Sequence, residues 1–361
     1  MSAIWGRVGP TAAIALLAVG CSSIGPETIP RDRFDYVEAI RDSGKEQMLL
    51  NMVGLRYAEA PLFLRVTSVI SQYSIDGRVS AAAPPYQPQA AAAPPLGVSG
   101  GYADRPTITY TPMSGAEFTR SVMTPIPPRT IMSLIQAGWR ADLLLRLAVR
   151  SVNGVAVAKG VGAEGVGSLE DQTEYYEMVS LMQNIQASGG LSFRVEKRAP
   201  NDVALVIIRA ADSQEMQLNR ARLREILGLE PGLSKYRLVF GGRAAGGGEI
   251  AMITRSILEM LMELALWIEV PPEHITAGRT RPSHDTKAIE DLGFKPMIHV
   301  YSSTEKPDDA FVMVRYDGMW FWIDNEDFRS KRTLGFMQLM FSLAESGGGQ
   351  QAPVVTVQAG R

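Results

Sequence analysis

Along the chain, the spacing of apolar positions changes period several times. Over residues 32–59 it is helical, with Val37, Ile40, Met48, Met52, Val53 and Leu55 as the expected buried set. Residues 62–75, "LFLRVTSVISQYSI", are rich in β-branched and aromatic side chains, which predicts a strand. The segment 81–97, "AAAPPYQPQAAAAPPLG", then offers prolines that remove backbone donors and alanines with little to bury. A disordered loop is expected there, leading to a second strand over 105–111. A short helix ending near Met123, a helix over 129–137 and a strand over 143–152 follow.

Glycines crowd 154–167, the expected linker between an N-terminal α/β region at 31–153 and a C-terminal α+β region at 168–346. The helix predicted over 168–187 opens on Ser168-x-x-Asp171, similar to a capping box. Strands over 191–196 and 203–209 flank Pro200-Asn201-Asp202 and read as a hairpin. A helix over 215–227 and a strand over 235–240 come next. The apolar run 249–268 resembles a membrane span, but Arg255, Glu259 and Glu263 recur every fourth residue and stack on one face. Each charge costs about 2.5–3.5 kcal/mol at a bilayer centre, so a core helix with one wet stripe is predicted instead. Strands over 297–302 and 310–323, the latter a hairpin turning at Asp317-Gly318, precede a helix over 326–345 and a short strand, 354–357, in the tail 347–361. Irregular alternation with two hairpins predicts an α+β fold of mixed, mostly antiparallel sheets with packed amphipathic helices.

Composition changes this picture at one end of the chain. Of 361 residues one is cysteine, Cys21, and it closes the first apolar run, "LLAVGCSS". Arg7 is the one charge before it, and the run is too short for a bilayer span, as in a secretory signal. The stretch resembles the lipobox of bacterial lipoproteins, although Ala18 stands where that class favours Leu. The resemblance implies a signal peptide at 1–20, a diacylglycerol on the sulfur of Cys21, cleavage before it and acylation of the new amino group. Residues 21–30 would form a lipidated tether, and Ser22 in place of Asp implies the outer membrane. Two or three acyl chains anchor stably where one is marginal. Loss of Arg7 with the signal takes the formal net charge from −2 to −3, which leaves no basic footprint for nucleic acid. With Cys21 acylated, no thiol remains for disulfides, metal or nucleophilic attack.

Catalytic patterns are present but out of context. Gly160-Val161-Gly162-Ala163-Glu164-Gly165 matches G-x-G-x-x-G, yet its helix starts after further glycine, so a pyrophosphate would miss the helix N-terminus. Gly97-Val98-Ser99-Gly100-Gly101 matches G-x-S-x-G without the strand before it and helix after it that a nucleophile elbow needs. His274 and His284 share a loop with Glu273 and Asp285, but no metal-site spacing joins them to each other or to His299. The expectation is therefore no catalytic, cofactor or metal residue, and Cys21 as the sole assigned site. Trp320 and Trp322 alternate with Phe321 and Ile323, so one sheet face carries both indoles. Burial of that face under the 326–345 helix is expected; an open face would be a sugar-stacking platform. The basic run Arg329-Ser330-Lys331-Arg332 is expected to be solvated.

"GKEQMLLNMVGLRYAEAPLFL", "RPTITYTPMSG", "TPIPPRTIMSLIQAGW" and "WFWIDNEDFRSKRTLGFMQLMFSLAE" together resemble a family of proteobacterial envelope lipoproteins. That resemblance implies a location and no activity. The expected function is a non-enzymatic, lipid-anchored scaffold or adaptor on the periplasmic face of the outer membrane, with other envelope proteins as partners. A peptidoglycan- or glycan-acting lipoprotein is the alternative.

Overall fold

The computed structural model describes residues 24–70, 73–81, 96–156, 169–197, 202–210 and 213–346. Cys21 and its leader, the glycine pattern at 160–165, the Ser168 cap and the strand expected at 354–357 lie outside them. The fold is α+β, as expected. Two compact units, Met1–Lys45 and Glu46–Arg361, meet inside the first helix, α1 (Ile24–Arg56). The helix begins at Ile24, well inside the expected tether. Pro30 lies inside the helix, past its first turn, where it lacks the N–H that would close an intrahelical bond. Val37 and Ile40, expected to be buried, are exposed, since their unit offers no second described element to cover them. In the other unit Met48, Leu49, Met52 and Val53 are buried.

After α1 come four strands: β1 (Leu64–Ile70), β2 (Tyr73–Ala81), β3 (Leu96–Asp104) and β4 (Thr107–Pro112). They form two antiparallel two-stranded ribbons, β1 with β4 and β2 with β3. Of the loop expected at 81–97, Ala81, Leu96 and Gly97 are strand instead, and residues 82–95 lie outside the described ones. Alternation, weakened by glycine, was the signal for β2 and β3.

Next, α2 (Gly115–Phe118) runs into a π-helical turn (Thr119–Met123), followed by α3 (Pro128–Gln136) and α4 (Ala141–Ala148). Residues 143–152, read as one strand, are the end of α4 followed by β5 (Val149–Val152). All eight residues of α4 are buried, Asp142 and Arg146 included, and an apolar run this short does not separate a buried helix from a strand. With β6 (Val155–Ala156), α5 (Leu169–Ala187), β7 (Leu191–Glu196), β8 (Val203–Ile208), α6 (Gln214–Ile226), β9 (Lys235–Phe240) and β10 (Glu249–Thr254), the chain builds a six-stranded sheet. Its order is β6-β5-β10-β9-β8-β7, antiparallel except between β9 and β10. The β7–β8 hairpin is as expected. The boundary expected at 154–167 is not one, because strands on both sides of it share this sheet and one core. A glycine-rich segment can connect strands of one sheet as readily as two domains, and composition does not distinguish the two.

The run 249–268 is also two elements, β10 and α7 (Ile257–Ala265), separated by Arg255 and Ser256. Ser256 and Glu259 form a reciprocal capping box, with Glu259 N–H to Ser256 Oγ at 3.2 Å and Ser256 N–H to Glu259 Oε2 at 2.8 Å. The wet stripe is overturned as well. Arg255 is only 3% exposed; it donates to the carbonyls of Arg146 (2.8 Å) and Leu147 (3.1 Å) and pairs with Glu263 at 3.2 Å.

After the short helices α8 (Pro272–Thr276) and α9 (Thr286–Asp291), strands β11 (Tyr301–Ser303), β12 (Ala310–Tyr316) and β13 (Met319–Asp324) form an antiparallel sheet in the order β11-β13-β12. Asp317 and Gly318 turn the hairpin with φ of +48° and +82°, the two positive values that a type I′ turn requires. Helix α10 (Phe328–Ser346) ends the described chain and buries Leu334, Phe336, Met337 and Met340. Phe336 packs on Trp139 and Phe341 on Phe63, so α10 spends its apolar side there.

Candidate functional site

The three-stranded sheet has one buried face and one open face. Phe321 and Ile323 are fully buried, whereas Trp320 and Trp322 are half-buried on the other side. Burial of an indole under α10 is thus corrected: strand alternation gave the right pairs, and the tertiary packing put the other pair inside. Along the open face His299 stacks on Tyr301 (4.0 Å between centroids, 27°) and Tyr301 on Trp322 (5.5 Å, 25°). Lys306 Nζ lies 5.6 Å from the Trp320 ring, and Met313 and Arg315 pair in register with Trp322 and Trp320. Burial, and then Asp324, Asp327 and Glu269, raise the Tyr301 phenol above its usual pKa. A sugar stacks on a free ring face. Here Tyr301 lies between two rings, and Lys306 occupies one side of Trp320.

The nearest cavity, about 430 Å³, is lined by Glu269, Pro271, Pro272, Ser283, Ser302 and Met319 among others. Glu269 is the one carboxylate in that lining, and it already holds His299 Nε2 at 2.6 Å. Glycoside hydrolysis ordinarily uses two carboxylates flanking the bond, so this lining alone does not supply the chemistry.

The histidine loop does not converge. His274 Nδ1 lies 2.8 Å from the Tyr57 hydroxyl, while His284 packs on Trp267 with its backbone N–H bonded to Leu266 O at 2.9 Å. No group of three or more His, Cys, Asp or Glu suited to a metal occurs among the described residues. Tyr57 also packs on Tyr316, whose hydroxyl donates to Glu59 Oε1 at 2.7 Å. Burial and that carboxylate push the Tyr316 pKa up to about 12. Arg279 pairs with Asp317 beside it. These contacts tie the end of α1 and the α8 loop to the β12–β13 turn. In the basic run, Lys331 Nζ bonds Asn325 O at 2.9 Å, and Ser330 Oγ accepts from His299 N–H at 2.8 Å. The G-x-S-x-G pattern lies within β3, with Ser99 opposite Arg78, and a strand interior cannot present a nucleophile elbow.

The paired strands β1–β4 present an open surface. All six residues of β4 are exposed, and Leu64, Ile70, Ile108 and Tyr110 are exposed hydrophobics. The register pairs Val66 with Tyr110 and Val69 with Ile108, alternating with Arg65–Thr111 and Ser68–Thr109. One face is thus apolar and the other threonine-rich; β4 is exposed throughout, while Arg65, Val66, Ser68 and Val69 of β1 are half-buried and Arg65 pairs with Glu117 of α2. The root of this arm is held firmly. The Asn51 amide bonds both backbone groups of Leu62 (2.8 and 2.9 Å), and the Gln47 amide both of Leu64 (2.7 and 3.2 Å), so α1 acts as a neighbouring strand there. Sequence reasoning placed β1 and β4 but missed the strands beyond them.

Comparison of the chain with protein-family models, with curated proteins and with solved structures gives no match.

Proposed function

We propose that this chain is a lipid-anchored, non-enzymatic scaffold or adaptor of the bacterial envelope, held through acyl chains on Cys21 at the periplasmic face of the outer membrane. One observation carries the adaptor part: a β-arm rooted by Gln47 and Asn51 whose strand β4 is exposed along its whole length. An isolated two-stranded ribbon is marginal in water, and exposed strand edges are templates for pairing. The anchor rests on the apolar run ending at Cys21. Replacing residues 64–112 by a short turn should leave the body folded and remove the partners recovered with the native protein by mild crosslinking. Recovery of the same partners without the arm would contradict the reading.

The anchor makes its own prediction. Cys21→Ala should abolish acylation and leave the precursor uncut by the lipoprotein signal peptidase, as read by mass and by membrane fractionation. A variant that still matures and stays with the outer membrane sinks the lipoprotein reading. The open Trp320–Trp322 face keeps a second reading, glycan binding, in play. Its mark would be peptidoglycan retention by the purified protein that Trp320→Ala removes without loss of stability.

A further inference from the structure

We propose that the first part of α1 lies along an anionic lipid surface on the side centred on Val37, with Phe34, Val37 and Ile40 at the acyl chains and Arg33 and Arg41 at the phosphates. This contact rests on the lipid-anchored reading above and adds a second, non-covalent attachment to the same membrane.

The geometry is that of the helix alone. Lys45 closes the unit Met1–Lys45, and α1 is the one described element of that unit. Phe34 is 72% exposed, Val37 56% and Ile40 41%, and these large apolar side chains are costly to leave in water. Successive residues of an α-helix turn by about 100°, so over 30–45 the three share one half of the helix, within about 90° of Val37. The same half carries Arg33, Arg41 and Lys45, with Pro30 and Gly44, and no carboxylate. The opposite half carries every acid of the segment, Asp32, Asp35, Glu38 and Asp42, with Arg31 as its one cation and Tyr36, Ala39 and Ser43 between them. Four cations and four acids sum to zero here, yet they are sorted by side.

That sorting selects the occupant. Two copies meeting on the Val37 side would bring their cations together with no carboxylate among them, and like charges repel. A bilayer interface accepts both features, since an apolar stripe enters the boundary between headgroups and acyl chains while cations meet phosphates. Lys45 is committed elsewhere: it pairs with Asp42 at 2.7 Å and its side chain is 13% exposed. Arg41 lies 3.8 Å from both Glu38 and Asp42 and stays 61% exposed, and Arg33 is exposed one turn before Val37. Interfacial binding scales with the apolar area buried, so three apolar side chains alone bind weakly. Cys21 stands three residues ahead of Ile24 in the sequence. With its acyl chains in the bilayer, docking of the helix becomes an intramolecular step at high effective concentration.

The test uses full-length protein reconstituted into phosphatidylethanolamine/phosphatidylglycerol vesicles, with a nitroxide label on cysteines introduced one at a time. Cys21 is the chain's one cysteine, so its acylation leaves the introduced thiol as the sole target. Labels on Val37→Cys and Ile40→Cys should be reached by oxygen from the lipid and protected from a water-soluble nickel chelate. Labels on Asp35→Cys and Ala39→Cys, on the opposite half, should show the reverse. In the Val37→Cys background, Arg33→Gln should lower the ratio of inserted to free helix about fivefold, the effect of one cation near an anionic surface, and Arg31→Gln should leave it unchanged. Four labels in water overturn the proposal. So do Val37→Cys and Ile40→Cys labels shielded from both reagents, the mark of a protein neighbour, or equal effects of the two arginines. The mass of the same protein reads the anchor separately. Acylated protein with every label in water keeps the anchor and loses the helix contact. If the mass shows no acyl chain, the labels are read in a Cys21→Ser background: entry into lipid there keeps the contact without the anchor, and labels in water remove both.

Discussion

Truncating Phe321 to alanine is expected to cost about 3–5 kcal/mol, the usual range for a buried aromatic. Its ring is fully buried, with Tyr57 edge-on at 6.3 Å and Tyr316 at 6.4 Å, and both of those rings are held in turn, Tyr57 by His274 and Tyr316 by Glu59. Little collapse into the void is possible there. Trp322→Ala removes a larger side chain from the half-buried face and should cost less than about 2 kcal/mol. Urea unfolding of both variants checks the order. Equal losses, or a larger one at Trp322, would mean that the open face is covered in solution. The comparison also bears on function, because an indole cheap to remove remains free to serve binding.

Arg255→Ala should be comparably severe, at roughly 3–5 kcal/mol, the cost of breaking a buried ion pair from one side. The guanidinium is buried where β10 gives way to α7, bonded to two carbonyls of α4 and to Glu263. Its loss leaves those carbonyls and a nearly buried carboxylate without their donor. Removing both charges, as in Arg255→Met with Glu263→Leu, should recover much of the loss, since an apolar pair has no charge to desolvate. Thermal melts of the two single variants and the double variant give the coupling. Additive losses would show that the pair is not a unit.

These two sites mark where linear reading works and where it stops. Phe321 and Trp322 alternate in any strand, so the sequence was enough to separate the two faces and to place the turn at Asp317-Gly318. Which face goes inside depends on what packs there. Tyr57, more than 260 residues earlier in the chain, covers the Phe321 side, while α10 turns its apolar stripe to Trp139 and Phe63. Glu259 and Glu263 do share a face of α7, but Arg255 stands before the helix, and spacing says nothing of whether water reaches a side chain. Carbonyls of α4 reach Arg255 instead.

For this protein the sequence by itself determined the elements with strong local signals: the later part of α1, the β7–β8 and β12–β13 hairpins, α6, β9 and α10, and with them the α+β class. Turn chemistry and periodicity act over a few residues and survive translation into structure unchanged. The tertiary structure alone decided four things: the helical character of the fully buried α4, the strand–helix break at Arg255-Ser256, the continuity of one sheet across the glycine-rich segment, and the extension of the arm into β2 and β3. Each depends on partners distant in the chain. A short apolar run does not separate a buried helix from a strand, a glycine has no preference between linker and sheet connection, and a strand weak in local propensity forms when a second strand lies in register beside it.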